Sequence, residues 1–322
     1  MSTLRKLGRS DIEVTPIGLG CWQFSEARGM AGRFWPALST EETNAIVEAA
    51  LAGGINWFDT AEAYGGGRSE AALARALRAA GREPGDVIVA TKWMPTFRRA
   101  SSIGNTIGER LKRLDGFPID LHQVHHWSSL STVKAEMDAM ADLVQAGQIR
   151  SVGVSNFSAR LMQKAHAALE IRGIPLVANQ VHYSLLHRNI ETTGVLEAAK
   201  ELGITIIAYS PLAQGLLTGK FHDDPESIRD RPGPRKWFRS FRRRGLLRSR
   251  PLIDELRSVG AAHGVTAAQV ALNWLVTFHG DTVVAIPGAT KVHNAEACAA
   301  ATSFELRAEE LARIDEISRA VG

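Results

Sequence analysis

Cysteine is scarce in this chain of 322 residues, and long apolar runs are missing from it. The two cysteines, Cys21 and Cys298, are too few for a disulfide framework and do not form a Cys-x-x-Cys pair. No apolar run is long enough to span a bilayer, and the first residues, Met1–Ser10, lack the apolar centre of a signal peptide. We therefore expect a cytoplasmic protein without a membrane segment.

The excess of positive over negative charge lies in one segment of the chain. The formal net charge is +4, yet residues 229 to 250 hold ten Arg or Lys against one Asp, so the remainder is net negative. Aromatic residues alternate with cations over Arg235–Arg244, a composition that also occurs in nucleic-acid-binding segments. The charge excess does not extend over a whole domain, as it would in a basic nucleic-acid-binding face. We therefore favour a solvated substrate loop for this segment and do not expect a nucleic-acid partner. A third interpretation, in which this segment clamps an acidic substrate or the cofactor phosphates, is left open.

Short strand-like runs alternate with helical stretches along the chain. A parallel (β/α)8 TIM barrel, forming one domain over residues 1–322, is the architecture that this alternation predicts. A doubly wound open sheet usually carries Gly-x-Gly-x-x-Gly after its first strand, and no such motif occurs. The predicted strands are Thr15–Gly20, Ile55–Asp59, Val87–Thr91, Leu121–His125, Ser151–Ser155, Leu176–Gln180, Thr205–Ser210 and Thr282–Pro287. The helical stretches are Glu41–Ala52, Ser69–Ala80, Val133–Ala146, Ala159–Leu169, Gly194–Leu202 and Ala267–Phe278.

Three segments lie outside this repeat. Leu4–Val14 is predicted to form an N-terminal β-hairpin that plugs the barrel floor. Residues 212–250 form a long Pro- and Arg-rich loop after the seventh strand, predicted to lie over the cofactor and substrate site. Arg307–Ala320 has the pattern of an extra C-terminal helix.

Four residues with complementary chemistry fall at or just after predicted strand ends: Asp59, Tyr64, Lys92 and His125. Barrel enzymes build their sites from such positions, so these side chains are expected to converge. A lysine ammonium next to Tyr64 would lower the tyrosine pKa from about 10 toward neutrality. Asp59 would keep Lys92 charged, and His125 would donate to or orient a substrate carbonyl.

Two other interpretations of these motifs are possible. His122, His125 and His126 could be metal ligands, although no cysteine or glutamate stands nearby at ligand spacing, and no metal is expected. Gly215–Lys220 suggests a phosphate-binding P-loop, but its glycines are one residue too close and Phe221 replaces the Ser or Thr that would bind magnesium.

The catalytic set, together with Gly18–Trp22 and Ile286–Thr290, resembles the aldo-keto reductases over nearly the whole chain. That resemblance implies an (α/β)8 barrel that binds NADPH without a Rossmann motif. It also implies roles for Ser155, Asn156 and Gln180 on the nicotinamide carboxamide, for Tyr209 under the ring, and for Ser210, Leu212 and Lys220 along the diphosphate. The full set of residues expected to bind the cofactor is Trp22, Ser155, Asn156, Gln180, Tyr209, Ser210, Leu212, Lys220, Gly288, Ala289, Thr290, Lys291 and Asn294.

The adenosine end departs from the fullest family pattern. Lys291 offers a charge for a 2′-phosphate, whereas Ala297 and Cys298 replace the Glu and Asn that many members use for adenine. The resemblance thus implies NADPH, with NADH possible. It implies an NADPH-dependent oxidoreductase that reduces a small-molecule aldehyde or ketone to an alcohol. The alternative is a cofactor-sensing regulatory subunit resembling the potassium-channel β subunits.

Substrate identity and oligomeric state are left open by the sequence. Trp22, Trp93 and Trp127 are compatible with an aromatic-walled pocket, and equally with packing at the barrel top.

Overall fold

The computed structural model describes residues 4–29, 34–231 and 233–322. Its strands form a two-stranded antiparallel hairpin and an eight-stranded parallel sheet. The hairpin strands are β1 (Arg5–Lys6) and β2 (Glu13–Val14). The sheet strands are β3 (Leu19–Gly20), β4 (Trp57–Asp59), β5 (Ile88–Trp93), β6 (Leu121–Val124), β7 (Ser151–Ser155), β8 (Leu176–His182), β9 (Thr205–Tyr209) and β10 (Val283–Ala285).

The sheet closes into a barrel. Each strand from β3 to β10 pairs in parallel with the next, and parallel bridges join Ile17 to Ala285 and Gly20 to Gly288. These bridges bring the first sheet strand beside the last. The predicted (β/α)8 architecture is confirmed, including the N-terminal hairpin and the C-terminal helix.

Helices surround the sheet and follow the strands in the chain. They are α1 (Thr40–Ala52), α2 (Arg68–Ala79), α3 (Ser101–Arg113), α4 (Val133–Gln145), α5 (Ala159–Glu170), α6 (Val195–Leu202), α7 (Lys220–Asp223), α8 (Arg243–His263), α9 (Ala267–Thr277), α10 (Val292–Ala299) and α11 (Ala308–Val321). Two of the helices have side-chain N-caps: Ser39 forms a capping box with Glu42, and the side chain of Ser158 accepts from the Leu161 N–H. None of the described helices has the length and apolar character needed to cross a membrane.

The segment after β9 contains more helix than the sequence suggested. The described residues between 212 and 242 carry only short helical turns besides α7, but α8 begins at Arg243, within the predicted loop. Its early turns are rich in arginine and contain Pro251, a residue that normally interrupts helices, so composition hid it. Helix α3 was also absent from the predicted elements. It contains Gly104 and Gly108, two poor helix formers, and its buried apolar positions are few.

The hairpin covers the amino-terminal end of the barrel. Leu7, Ile12 and Val14 are buried in a cluster with side chains from the starts of the sheet strands, among them Trp57 and Leu121. The Trp57 indole also donates to the carbonyl of Thr15 at 2.9 Å. The opposite, carboxyl end of the strands therefore remains available for the site.

Removing apolar volume from the hairpin should destabilise the whole barrel. Leu7→Ala is expected to lower the free energy of unfolding by about 2–5 kcal/mol. Leu7 is only 1% exposed, so the shortened side chain would leave a cavity in the packed floor. Leu4→Ala is the matched control, since Leu4 is 46% exposed and its loss should cost less than about 0.5 kcal/mol. Urea denaturation measures both, and equal losses in the two variants would contradict a packed floor.

Candidate active site

A buried ion pair lies inside the carboxyl end of the barrel. Asp59, the last residue of β4, accepts a hydrogen bond from the ammonium of Lys92 on the neighbouring β5. Both side chains are essentially excluded from solvent. The ammonium also donates to the Thr60 carbonyl at 2.8 Å, so both charges are well supplied with partners. Burial alone would lower the pKa of Lys92, but Asp59 and Tyr64 together raise it above its ordinary value.

Two amides complete the environment of the Asp59 carboxylate. Gln123 and Gln180 donate to its second oxygen at 3.1 and 2.8 Å, and the Gln180 amide also reaches the Gln123 oxygen at 3.3 Å. Sequence reasoning missed Gln123. Its position two residues before His125 on an alternating strand was the available signal, since both then point to one side. The amide nitrogen of Gln180, a residue expected on a cofactor carboxamide, donates to Asp59.

Tyr64 lies beside the ion pair on the loop after β4. Its hydroxyl is 3.4 Å from the Lys92 ammonium, which also lies 4.9 Å from the ring centroid. Burial raises the pKa of Tyr64; Lys92 acts in the opposite direction, but Asp59 adds to the rise. The expected net lowering of this pKa is therefore wrong, because burial and the nearby carboxylate outweigh the ammonium. Tyr64 keeps its proton at neutral pH.

His125 completes the predicted set. Its ring lies edge-on to Tyr64, with 5.7 Å between the ring centroids. Burial, with the nearby Lys92 and His126, lowers the pKa of His125 to about 3, so the ring is neutral. The structure thus brings Asp59, Tyr64, Lys92 and His125 together, as predicted. His122 points away from this group toward Arg110, and the described residues contain no cluster of three or more His, Cys, Asp or Glu arranged for a metal.

The loop that carries Tyr64 is fixed by a buried glutamate. Glu62 accepts hydrogen bonds from the Met94 N–H and from Arg98 through one oxygen, and from Arg110 through the other. Its side chain is 9% exposed. Because Met94 follows β5, this cluster ties the tyrosine loop to the strand that carries Lys92.

A cavity of about 680 Å³ opens beside these residues. Its size and mixed lining are those of a ligand site. It is lined by Asp59, Tyr64 and His125, whereas Lys92 lies behind them. The predicted cofactor residues that line it are Trp22, Ser155, Asn156, Gln180, Tyr209, Ser210, Leu212, Lys220, Gly288, Thr290 and Asn294. Ala289 is buried behind the wall, and Lys291 is exposed outside it, so neither contributes to the lining.

Polar side chains form a linked row between β7 and β9. The Tyr209 hydroxyl donates to the side-chain oxygen of Asn156, Oδ1, at 3.0 Å. The side-chain nitrogen of Asn156, Nδ2, donates to the Ser155 hydroxyl at 3.0 Å. Asn156 does not cap α5, because that role belongs to Ser158. Asn156 and Ser210 both have positive φ, at 59° and 51°. Such strained backbone in non-glycine residues is concentrated at functional sites.

Unpaired cations mark the other end of the cavity. Burial and the nearby Arg231, Arg235 and Lys291 lower the pKa of Lys220. None of these four side chains forms an ion pair within the described part of the chain. A surplus of positive charge around a partly buried lysine fits the phosphates of a dinucleotide. With the amide-bearing row at one end and Lys220 at the other, the lining residues suit a nicotinamide dinucleotide.

The aromatic wall differs from the one expected. Trp22 lines the cavity, but Trp93 is buried with its indole N–H bonded to Ser102, and Trp127 is 58% exposed. Neither of the latter two lines the cavity. Other aromatic rings take part with Trp22 instead, and these are Phe34, Trp35 and Phe238.

Known proteins share this sequence and fold. The sequence model of the Aldo/keto reductase family matches residues 16–319. An uncharacterized oxidoreductase of Mycobacterium tuberculosis (strain ATCC 25618 / H37Rv) is 39% identical over 310 residues, covering 96% of this chain and 90% of the relative. An aldo-keto reductase of Strobilurus tenacellus is 31% identical over 320 residues, covering 98% and 91%.

Solved structures agree. A thermostable aldo-keto reductase crystallised with the inhibitor epalrestat has a TM-score of 0.78 and 30% identity, with 98% of this chain and 99% of the other covered. The glycerol dehydrogenase of Gluconobacter oxydans has a TM-score of 0.83 and 27% identity, with 99% and 96% covered. Fold and sequence agree, and the chain is a member of the aldo/keto reductase family of oxidoreductases.

Proposed function

We propose that the protein is an NADPH-dependent reductase that converts an aldehyde or ketone to an alcohol, with Tyr64 as the general acid. The observation that carries this proposal is the contact between the Tyr64 hydroxyl and the buried Lys92 ammonium at the edge of the cavity. A protonated phenol is the form that a general acid requires, and the raised pKa of Tyr64 keeps it in that form.

Tyr64, Lys92 and Asp59 have different roles in the proposed carbonyl reduction. The hydride for the carbonyl carbon would come from a reduced nicotinamide bound in the cavity. Tyr64 transfers its proton to the carbonyl oxygen as the carbon–oxygen double bond becomes single, and solvent later returns a proton to the phenolate. Lys92 stabilises the phenolate while it exists: opposite charges ~4 Å apart gain about 4 kcal/mol at an effective dielectric constant of ~20. Asp59 holds the ammonium in the charged state that this needs.

His125 acts as a neutral donor in this scheme. A neutral imidazole has one N–H, and the Nδ1 atom of His125 is buried without a hydrogen-bond partner among the described residues. With the proton on the other nitrogen, the ring can donate to the carbonyl oxygen beside Tyr64. It orients the substrate and leaves the proton transfer to the tyrosine.

The cofactor proposal depends on the cavity lining. Ser155, Asn156 and Tyr209 would hold the nicotinamide, and Lys220 with Ser210 and Leu212 the diphosphate. Lys291 is close enough to Lys220 to lower its pKa, which supports a 2′-phosphate at this end and hence NADPH. Ala297 and Cys298 line the cavity without offering a carboxylate or an amide to adenine, so NADH remains an acceptable substitute.

Catalysis is favoured over a sensing role. The relatives described above are named as oxidoreductases and reductases. The four catalytic side chains are complete and in contact, as turnover requires. The substrate is a small-molecule carbonyl compound, because the cavity volume suits a dinucleotide together with a modest substrate.

Removing the Tyr64 hydroxyl should abolish the proton transfer and spare cofactor binding. Tyr64→Phe is expected to lower kcat with a simple aldehyde by roughly 10²–10⁴, the range of general-acid effects, with the Kd of NADPH changed less than about threefold. Tyr183→Phe is the matched control, because the Tyr183 hydroxyl is bonded to Glu191 away from the cavity. Steady-state rates and nicotinamide fluorescence measure the two quantities. Comparable rate losses in both variants would remove Tyr64 from this role.

The pH profile should lack a histidine limb. The pKa of His125 is about 3, so the ring does not titrate between pH 5 and 8, and kcat/KM with saturating NADPH should be level over that range. The raised pKa of Tyr64 puts the basic limb, where the acid is lost, above the range in which an ordinary tyrosine ionises. A fall in kcat/KM as the pH rises above about 6.5, the ordinary pKa of a histidine, that disappears in His125→Gln would show that the histidine works as a cation.

A further inference from the structure

One buried cation in the cavity has no anionic partner. Arg235, on the segment after β9, is 3% exposed and lines the cavity. Its guanidinium forms no ion pair with any described residue, and its Nε is buried without an acceptor. The residues left undescribed, 1–3, 30–33 and 232, include no Asp or Glu, so they hold no carboxylate that could pair with it. The nearest charged groups are themselves cations, Arg231 and Lys220.

A buried arginine without an anionic partner indicates a binding site for an anion. Burying a charge is costly unless it is paired and hydrogen-bonded, and a guanidinium presents a planar fork of donors suited to a carboxylate. The cost is visible here: burial, with Arg231 adding to it, lowers the pKa of Arg235 to about 10. Arg235 is held in place without such a partner by stacking on Trp35, with its central carbon 4.2 Å from the ring centroid. It is therefore preorganised for a ligand.

Aromatic contacts connect Arg235 to the part of the cavity wall beside Tyr64. Trp35 lies edge-on to Trp22 at 6.0 Å, and Trp22 faces Tyr64 at 6.2 Å between ring centroids. A continuous aromatic wall thus runs from the proposed proton donor to the guanidinium. Lys220, Arg231 and Lys291 are the cations left to offset the cofactor phosphates.

We infer that Arg235 is a specificity residue that binds a carboxylate at the far end of the substrate, with the aromatic wall of Trp22 and Trp35 covering the apolar part between that carboxylate and the reacting carbonyl. This inference rests on the proposed reductase function. The chemical class of substrate is an aldehyde or ketone that carries a carboxylate, separated from the carbonyl by an aromatic or extended apolar spacer.

A pair of substrates that differ only in charge tests this assignment. The carboxylate is 4-carboxybenzaldehyde, and its neutral counterpart is methyl 4-formylbenzoate. In the wild-type protein, kcat/KM with NADPH should be at least about tenfold higher for the carboxylate. Arg235→Gln should lower that value roughly 30-fold or more for the carboxylate and less than about threefold for the ester, because truncating one partner of a buried charge pair has effects of that order.

Two further variants separate charge, geometry and general surface effects. Arg235→Lys keeps the charge but loses the fork, so an intermediate loss for the carboxylate alone is expected. Arg239→Gln, at an exposed arginine of the same segment, should leave both substrates unchanged. Arg235→Lys also serves if the Gln variant does not fold.

Binding provides a readout that does not depend on turnover. Calorimetric titration of the NADP⁺-saturated protein with 4-(hydroxymethyl)benzoate, the product, should give a Kd at least about tenfold weaker in Arg235→Gln than in the wild type, with benzyl alcohol unaffected. A protein that reduces neither aldehyde would refute the proposed function while this titration still tests Arg235. Equal losses for both substrates together with weaker NADPH binding would assign Arg235 to the cofactor phosphates and overturn the inference, as would an unchanged preference in the variants.

Discussion

The ion pair between Asp59 and Lys92 is the interaction on which the rest of the site depends. Two opposite charges are buried side by side at the carboxyl ends of β4 and β5, where an unpaired charge would be strongly unfavourable. Two amides, from β6 and β8, complete the shell around the carboxylate. Four strands thus contribute to one polar centre, and the closed barrel is what brings them together. Because Asp59 and Tyr64 together outweigh the effect of burial on its pKa, Lys92 remains charged next to Tyr64.

The balance of forces at Tyr64 decides how the site works. A cation next to a phenol would by itself lower the tyrosine pKa, yet burial and the second charge, Asp59, reverse the net effect. The free protein therefore holds a protonated tyrosine beside the positively charged Lys92 ammonium. In the proposed reaction, this ammonium stabilises the negative charge that develops on the phenol and the substrate oxygen. This is the property expected of a site that stabilises a transition state more than its ground state.

Much of the fold, and the convergence of Asp59, Tyr64, Lys92 and His125, could be predicted from the sequence, because both depend on chain position. Alternating strand-like and helical runs fix the barrel, and a residue at the end of a parallel strand must lie at its carboxyl edge. Side-chain direction was harder to predict. Gln180 donates to Asp59, and Trp93 turns into the core, because each rotamer is chosen by neighbours far away in the chain.

Other features could not be predicted because they depend on packing between distant loops. The stacking of Arg235 on Trp35 joins the segment after β9 to the segment after β3. A run of arginines in the sequence gave no indication of which one is buried. Helix α8 was hidden for a related reason: its first turns are charged and contain a proline, and its apolar side becomes recognisable only against α9 and α11, where Leu252 and Leu256 are fully buried.

A double-mutant cycle at Asp59 and Lys92, followed by urea unfolding, tests the central interaction most directly. Asp59→Asn and Lys92→Met should each lower the free energy of unfolding by about 3–5 kcal/mol, because each leaves the other charge buried without its partner. The double variant should lose at least about 2 kcal/mol less than the sum of the single losses. Additive losses, within about 0.5 kcal/mol, would show that the two groups do not interact in the folded protein and would contradict this account.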